Sequence, residues 1–331
     1  MNIRNISSLK ETAAQRLDRA GQAGRIALIY AGVTVGASAL VTLINYALDL
    51  KIDQTGGLSN MGTRTILSTV STMLPMVLSG FLMCLDVGYI GSMLRVSRGQ
   101  YASPNSLRIG FDRFWTLLRY TIIQGAIFFG LMMLSIYTAV QLFLLTPLAK
   151  PVMEILVPLA QDGPIDPAAL MESPIYTDLM WAMLPAIILS AVMYLALFIP
   201  VAYQYRMTNY VILDKPGMGA LAAMRESKKM MRRNRFNLFR VDFSFWWFHG
   251  LCFLASCICY GDSFLPMLGI ELPFSADVSY FLFYALFLAA EFAIYFYLRN
   301  RVEVTYALAY ESLKPEEPKN NEVILGNIFQ M

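Results

Sequence analysis

The chain has 331 residues, of which 57% are hydrophobic and 15% charged, and its formal net charge is +3. Ordinary soluble domains carry roughly 45–50% apolar and about 25% charged residues. One water-soluble core cannot absorb this composition, and a bilayer is its natural solvent. The four cysteines, Cys84, Cys252, Cys257 and Cys259, all fall in apolar stretches, which fits neither a secreted disulfide framework nor a paired zinc spacing. Cys257 and Cys259 lack the two further ligands that a closed zinc site needs, so neither a metal nor a cofactor is expected.

The first 25 residues are polar and basic with no early apolar core, unlike a cleavable signal peptide. Ile6, Leu9, Ala13, Leu17 and Ala20 recur at helical spacing, with Lys10, Arg16 and Arg19 elsewhere on the surface. Residues 1–25 are therefore a cytoplasmic amphipathic segment, followed by a membrane domain over 26–310. A helix crossing the roughly 30 Å hydrocarbon core needs about 20 mostly apolar residues. Six stretches qualify: about 26–48, 66–94, 120–146, 182–205, 241–260 and 279–298. Each must be helical, because lipid offers the backbone no hydrogen-bond partner. Pro75, Pro185 and Pro200 fall within or near these spans and are expected to kink them. Trp115 and Trp181 suit interfacial positions. The fold class is thus all-α, a polytopic membrane helix bundle of six transmembrane helices.

Two further cytoplasmic stretches read as amphipathic interfacial helices. One carries the stripe Leu107, Phe111, Phe114 and Leu118. The other, about 217–234, sets Leu221, Met224 and Met231 against Arg225, Lys229 and Arg232, with Lys228 intruding near the apolar side. Such helices suit the headgroup region, lying flat with basic groups toward phosphate. The similar strings FWTLLR at 114–119 and RFNLFR at 235–240 complete a pattern of three repeats, each an amphipathic helix plus a hairpin. Residues 147–178 form a long external connection with five acidic residues and six prolines, within which LAKPVMEILVPLA suggests a short helix on the outer leaflet. The tail, 311–331, is polar and expected to be disordered.

Lysine and arginine fix the direction. Of the 26, 23 lie in the segments before the first, third and fifth spans and after the sixth; three lie in the segments between. The basic side is cytoplasmic by the positive-inside rule, which places both termini inside the plasma membrane.

ALAAMRESKKMMRRNRFNLFRVDFSFWWF at 220–248 resembles the signature of a bacterial membrane family known as domain of unknown function 975. The matching positions are Ala220, Leu221, Glu226, Ser227, Met231, Asn234, Leu238, Phe239, Ser244, Phe245 and Trp247. SSLKE at 7–11, DVGYIGSMLRVSRG at 86–99, FIPVAYQYRMTNYVILDKP at 198–216 and TYALAYESL at 305–313 also resemble it. The external connection at 147–178 departs as an insertion. The resemblance implies a multi-helix membrane protein and brings no activity with it.

Two groups of residues are candidates for function. Asp86, His249 and Glu291 each stand eight or nine residues from a basic boundary residue, Arg95, Arg240 and Arg299, so at about 1.5 Å per residue they share one depth. Ionisable groups at that depth are costly. Together they suit cation binding, proton relay or helix association; the plainer alternative is structural hydrogen bonding. The second group is the basic cluster Arg225, Lys228, Lys229, Arg232, Arg233 and Arg235, opposed only by Glu226, which reads as an anionic-lipid contact or as a topology determinant. The expected partners are membrane lipids through their anionic headgroups, and a membrane protein; a helix held against a bilayer is no nucleic-acid site. No phosphate-binding glycine loop, H-E-x-x-H or G-x-S-x-G in its required context occurs, so the expectation is a non-catalytic protein of membrane homeostasis. A small-solute or lipid transporter is the alternative, and an intramembrane enzyme a more distant one.

Overall fold

The computed structural model describes residues 5–54, 61–161, 174–267, 269–270 and 273–314. It is all-helical among the described residues. Five helices are long and apolar enough to cross a membrane, and a sixth candidate is a bent pair. This is a membrane helix bundle. Of the tail expected over 311–331, residues 311–313 are helical and 315–331 lie outside the described residues, as do residues 162–173 of the connection at 147–178.

Two compact units divide the chain, Met1–Leu118 with Met207–Met331, and Arg119–Arg206. In the first, α1 (Ile6–Arg19) starts at Asn5, whose side chain accepts from the Ser8 amide at 3.3 Å and so satisfies an orphan helix donor. The hairpin of α2 (Ala23–Gln54) and α3 (Met61–Ser97) follows, and α3 runs unbroken through Pro75. After α3 come a 3-10 turn (Pro104–Arg108) and the short α4 (Ile109–Asp112).

The expected amphipathic helix over 107–118 is therefore not one helix, and the reason is close packing on α3. A Cβ on Gly88 would stand 2.0 Å from the Leu107 carbonyl oxygen, and one on Gly110 would stand 1.8 Å from that of Cys84. The buried hydroxyls of Ser92 and Ser106 meet at 2.6 Å. Leu107 is buried, but Phe111 is exposed. Likewise Leu9 and Ala13 of α1 are buried, because α1 packs on α3 and on the last helix of the chain rather than presenting its apolar side to lipid.

The second unit holds most of α5 (Phe114–Leu144), then α6 (Lys150–Gln161) and α7 (Pro174–Tyr205), which continues through Pro185 and Pro200. The short helix expected in the external connection is present as α6. Its Val152 joins Phe143, Ala149, Leu179 and Ala186 in a local core.

The first unit resumes with α8 (Thr208–Asp214), α9 (Ala220–Met231), α10 (Arg235–Phe243), α11 (Trp246–Cys259), α12 (Gly261–Met267), α13 (Ala276–Ala293), a π turn (Ile294–Leu298) and α14 (Arg299–Leu313). The fifth expected span, 241–260, is broken: α10 and α11 meet at 63°. Neither proline nor glycine lies at this break. Polar groups intrude on the helical ladder instead, a recognised cause of kinks. Ser244 Oγ donates to the Val241 carbonyl at 2.6 Å, and Lys10 Nζ of α1 donates to the Ser244 carbonyl at 2.7 Å while standing 4.2 Å over the Phe245 ring.

Candidate functional site

The most concentrated polar chemistry of the first unit is built around Arg299, the first residue of α14, directly after the π turn. Such turns often occur at functional positions because they re-aim the side chains that follow them. The Arg299 side chain is only 13% exposed. It pairs with Asp86 of α3, donates to the Tyr30 hydroxyl of α2 and lies 3.5 Å from Glu303 one turn on. Three tyrosine rings surround the guanidinium, those of Tyr30, Tyr89 and Tyr295, with centroids at 4.8, 5.3 and 4.9 Å. Tyr30 stacks on Tyr89 at 4.4 Å and donates to Asp86 at 3.1 Å, and the Tyr89 hydroxyl donates to Asn300 Oδ1 at 2.6 Å.

Such an assembly lets a cation sit among apolar helices. The paired carboxylates offset its desolvation, and the ring faces add attraction of about 0.5–2 kcal/mol each. It joins the hairpin α2–α3 to α14 in one fixed register.

The seam continues along α14. Tyr210 of α8 donates to Glu303 at 3.4 Å, and its ring stacks on Tyr310 at 5.3 Å. Tyr310 in turn donates to Asp214 at 3.1 Å. Asp214 is also held by Arg98 at 2.5 Å and Lys314 at 2.7 Å, and Arg98 Nε donates to Glu311 at 2.8 Å. Burial works against the Arg98 charge, but the hydrogen bonds to Asp214 and Glu311 outweigh it and raise its pKa.

Of the residues singled out in the sequence, Asp86 and Glu291 both border this seam. Glu291 is half-buried and hydrogen-bonded to Tyr295. His249 is exposed on α11 with its ring against Phe248, and no hydrogen bond joins it to Asp86 or Glu291. Arg299, read in the sequence only as a boundary marker, is the cation that Asp86 meets. The signal that pointed to it was an arginine closing the aromatic run IYFYL.

The basic cluster lies on and beyond α9. Arg225, Lys228, Lys229, Arg232 and Arg233 are exposed, whereas Arg235 is half-buried. The opposite face, Ala220, Ala223, Met224, Ser227, Met230 and Met231, is buried. The apolar stripe thus runs through Ala223 and Ser227, while Leu221 is 55% exposed and falls off it. Lys228, expected near the apolar side, is exposed with the other cations. Glu226, the one acid among them, pairs with Lys215 and leaves the exposed face unneutralised.

A family model described as protein of unknown function (DUF975) matches residues 2–317. The chain belongs to this family. No curated protein and no solved structure matches it. The DUF975 match runs from before α1 to just beyond α14, so it includes the seam, the basic face of α9 and the connection at 147–178. Among the described residues no group of three or more His, Cys, Asp or Glu is placed to hold a metal.

Proposed function

We propose that this DUF975 protein is a non-catalytic protein of the plasma membrane, with both termini cytoplasmic, that engages anionic lipid headgroups through α9. The observation that carries the reading is the division of α9. Its apolar side is buried on the protein, and five exposed cations around its end have no ion pair among the described residues. A basic face fixed in this way approaches a lipid surface without a folding cost, at about 1 kcal/mol per cation near an anionic surface. The positive-inside bias of the sequence supports a position against the cytoplasmic leaflet.

The test uses the full chain in nanodiscs of mixed phosphatidylcholine and phosphatidylglycerol, with the lipid that stays with the protein quantified after extraction. Phosphatidylglycerol should be enriched. Replacing Arg225, Lys228, Lys229, Arg232 and Arg233 by glutamine, or raising the salt, should lower the enrichment, since exposed charges are screened over about 8–10 Å. Equal enrichment in the wild type and the glutamine variant leaves these residues with a topological role alone.

A second reading, transport of a small solute or a lipid, is favoured by the Arg299–Asp86 pair and the π turn beside it. Ion-pair exchange within a helix bundle is a common element of transport pathways. Solute flux into proteoliposomes that is lost in Arg299→Gln would favour it.

A further inference from the structure

A separate cavity lies where α1 ends, α2 begins and the chain leaves α3. Its volume is about 590 Å³, within the 300–1,000 Å³ usual for small-molecule sites. Arg16 and Arg19, one turn apart at the end of α1, both line it, and none of its described lining residues is acidic. Neither guanidinium has a carboxylate partner among the described residues, in contrast to Arg98 and Arg299.

Local backbone chemistry makes the room. Gly99 closes α3 with φ +71°, and its neighbours complete a helix-terminating motif: Gln100 N bonds Arg95 O at 2.9 Å and Gly99 N bonds Val96 O at 2.9 Å. A Cβ at Gly99 would stand 2.4 Å from Arg16 Nη1, so the guanidinium lies directly against the glycine of the turn. On the far wall, Gln22 Nε2 donates to the Tyr101 hydroxyl at 2.7 Å. That hydroxyl spends a lone pair on Gln22 and keeps its own proton to donate. The 32-residue α2 starts at this wall, and its positive end adds to the potential.

We propose that this cavity binds a phosphate group, either on a lipid headgroup or on a small soluble phosphomonoester. Two guanidinium forks and a phenol suit the oxygens of a phosphate, which arginine recognises bidentately. The site is distinct from the basic face of α9 and does not depend on it.

Two probes applied to the full-length protein distinguish the sources. One is phosphatidylglycerol in nanodiscs, read as lipid retained in native mass spectrometry. The other is glycerol 3-phosphate, read as a rise in Tm in neutral detergent. The wild type should retain at least one of them. Arg16→Gln with Arg19→Gln should weaken that binding about tenfold or more, as expected for losing charge-assisted hydrogen bonds. Tyr101→Phe, at a position 72% exposed and tolerant of change, should weaken it less and guards against misfolding of the double variant. The five-glutamine α9 variant should still bind. Retention of lipid alone assigns a headgroup, and a response to glycerol 3-phosphate alone assigns a soluble ligand. Wild-type binding of both probes no stronger than that of the double variant and of Tyr101→Phe overturns the proposal.

Discussion

The two units of the chain are held together by different physics. In the first, Asp86, Arg299, Glu303, Asp214, Arg98 and Lys314 form partly buried ion pairs within a helix assembly, and glycines let backbones touch. In the second, Phe143, Ala149, Val152, Leu179 and Ala186 make a small apolar core, and Gly125 and Gly130 face open space. Lipid tails are as apolar as leucine, so apolar burial alone gives little preference for one helix arrangement over another in a bilayer. A unit that must hold one register needs polar pairs or close backbone contact. A unit built mainly of apolar helices is free to adapt its packing.

This contrast can be broken most strongly at Arg299. Arg299→Gln removes the cation that Asp86 and Glu303 face and leaves them tyrosine hydroxyls as partners; with Asp86 partly exposed, it should cost on the order of 1.5–3 kcal/mol. Thermal unfolding in detergent would measure it. Combining it with Asp86→Asn should cost less than the sum of the two single changes, with a coupling of about 0.5–3 kcal/mol. Simple addition of the two costs would mean that the pair does not act as a unit.

The glycines give the next largest effect and the sharpest comparison. Gly88→Ala or Gly110→Ala pushes a methyl into a carbonyl oxygen and should destabilise by about 1–3 kcal/mol. Gly125→Ala and Gly130→Ala, with nothing within 4 Å of the added carbon, should be neutral or stabilising by up to about 1 kcal/mol. Equal losses at all four positions would erase the distinction between the units.

The smallest effect concerns the break between α10 and α11. Lys10→Met removes the hydrogen bond to the Ser244 carbonyl and the contact over Phe245, for about 1 kcal/mol. Hydrogen exchange should rise at residues 244–248 and remain unchanged in α5. Unchanged exchange at the break would mean that Ser244 sets it without help from α1.

The sequence and the structure agree where a local rule decides and part where a distant partner does. The long apolar helices were legible because length and hydropathy are local. So was α6, whose apolar residues keep helical spacing among prolines. The break at Ser244 was not, because no proline or glycine marks it and Lys10, its partner, lies 234 residues away. The turn over 104–112 reads as an amphipathic helix until Gly88 and Gly110 are seen to meet other carbonyls. Asp86 and Glu291 stand out in the sequence as ionisable residues within apolar spans, but depth along one dimension does not distinguish them from His249, which is exposed on α11. Arg299 stands at a helix end, where an arginine reads as a membrane boundary rather than as a partner. The Leu221 error on α9 has a similar origin: small residues such as Ala223 and Ser227 pack well but carry little hydropathic signal.

The lipid-facing function proposed for α9 requires that all the basic segments share one side of the membrane, and the bent pair α10–α11 is where that requirement is most exposed. In a background lacking Cys84, Cys252, Cys257 and Cys259, single cysteines at Gln100, Arg225, Leu148 and Phe274 should be probed with a membrane-impermeant thiol reagent in intact cells and after permeabilisation. Gln100 and Arg225 should label only after permeabilisation, and Leu148 and Phe274 in intact cells. Labelling of Phe274 only after permeabilisation, together with Arg225, would mean that α10 and α11 do not cross the bilayer, and would contradict a six-span protein with both ends and every basic segment on one face.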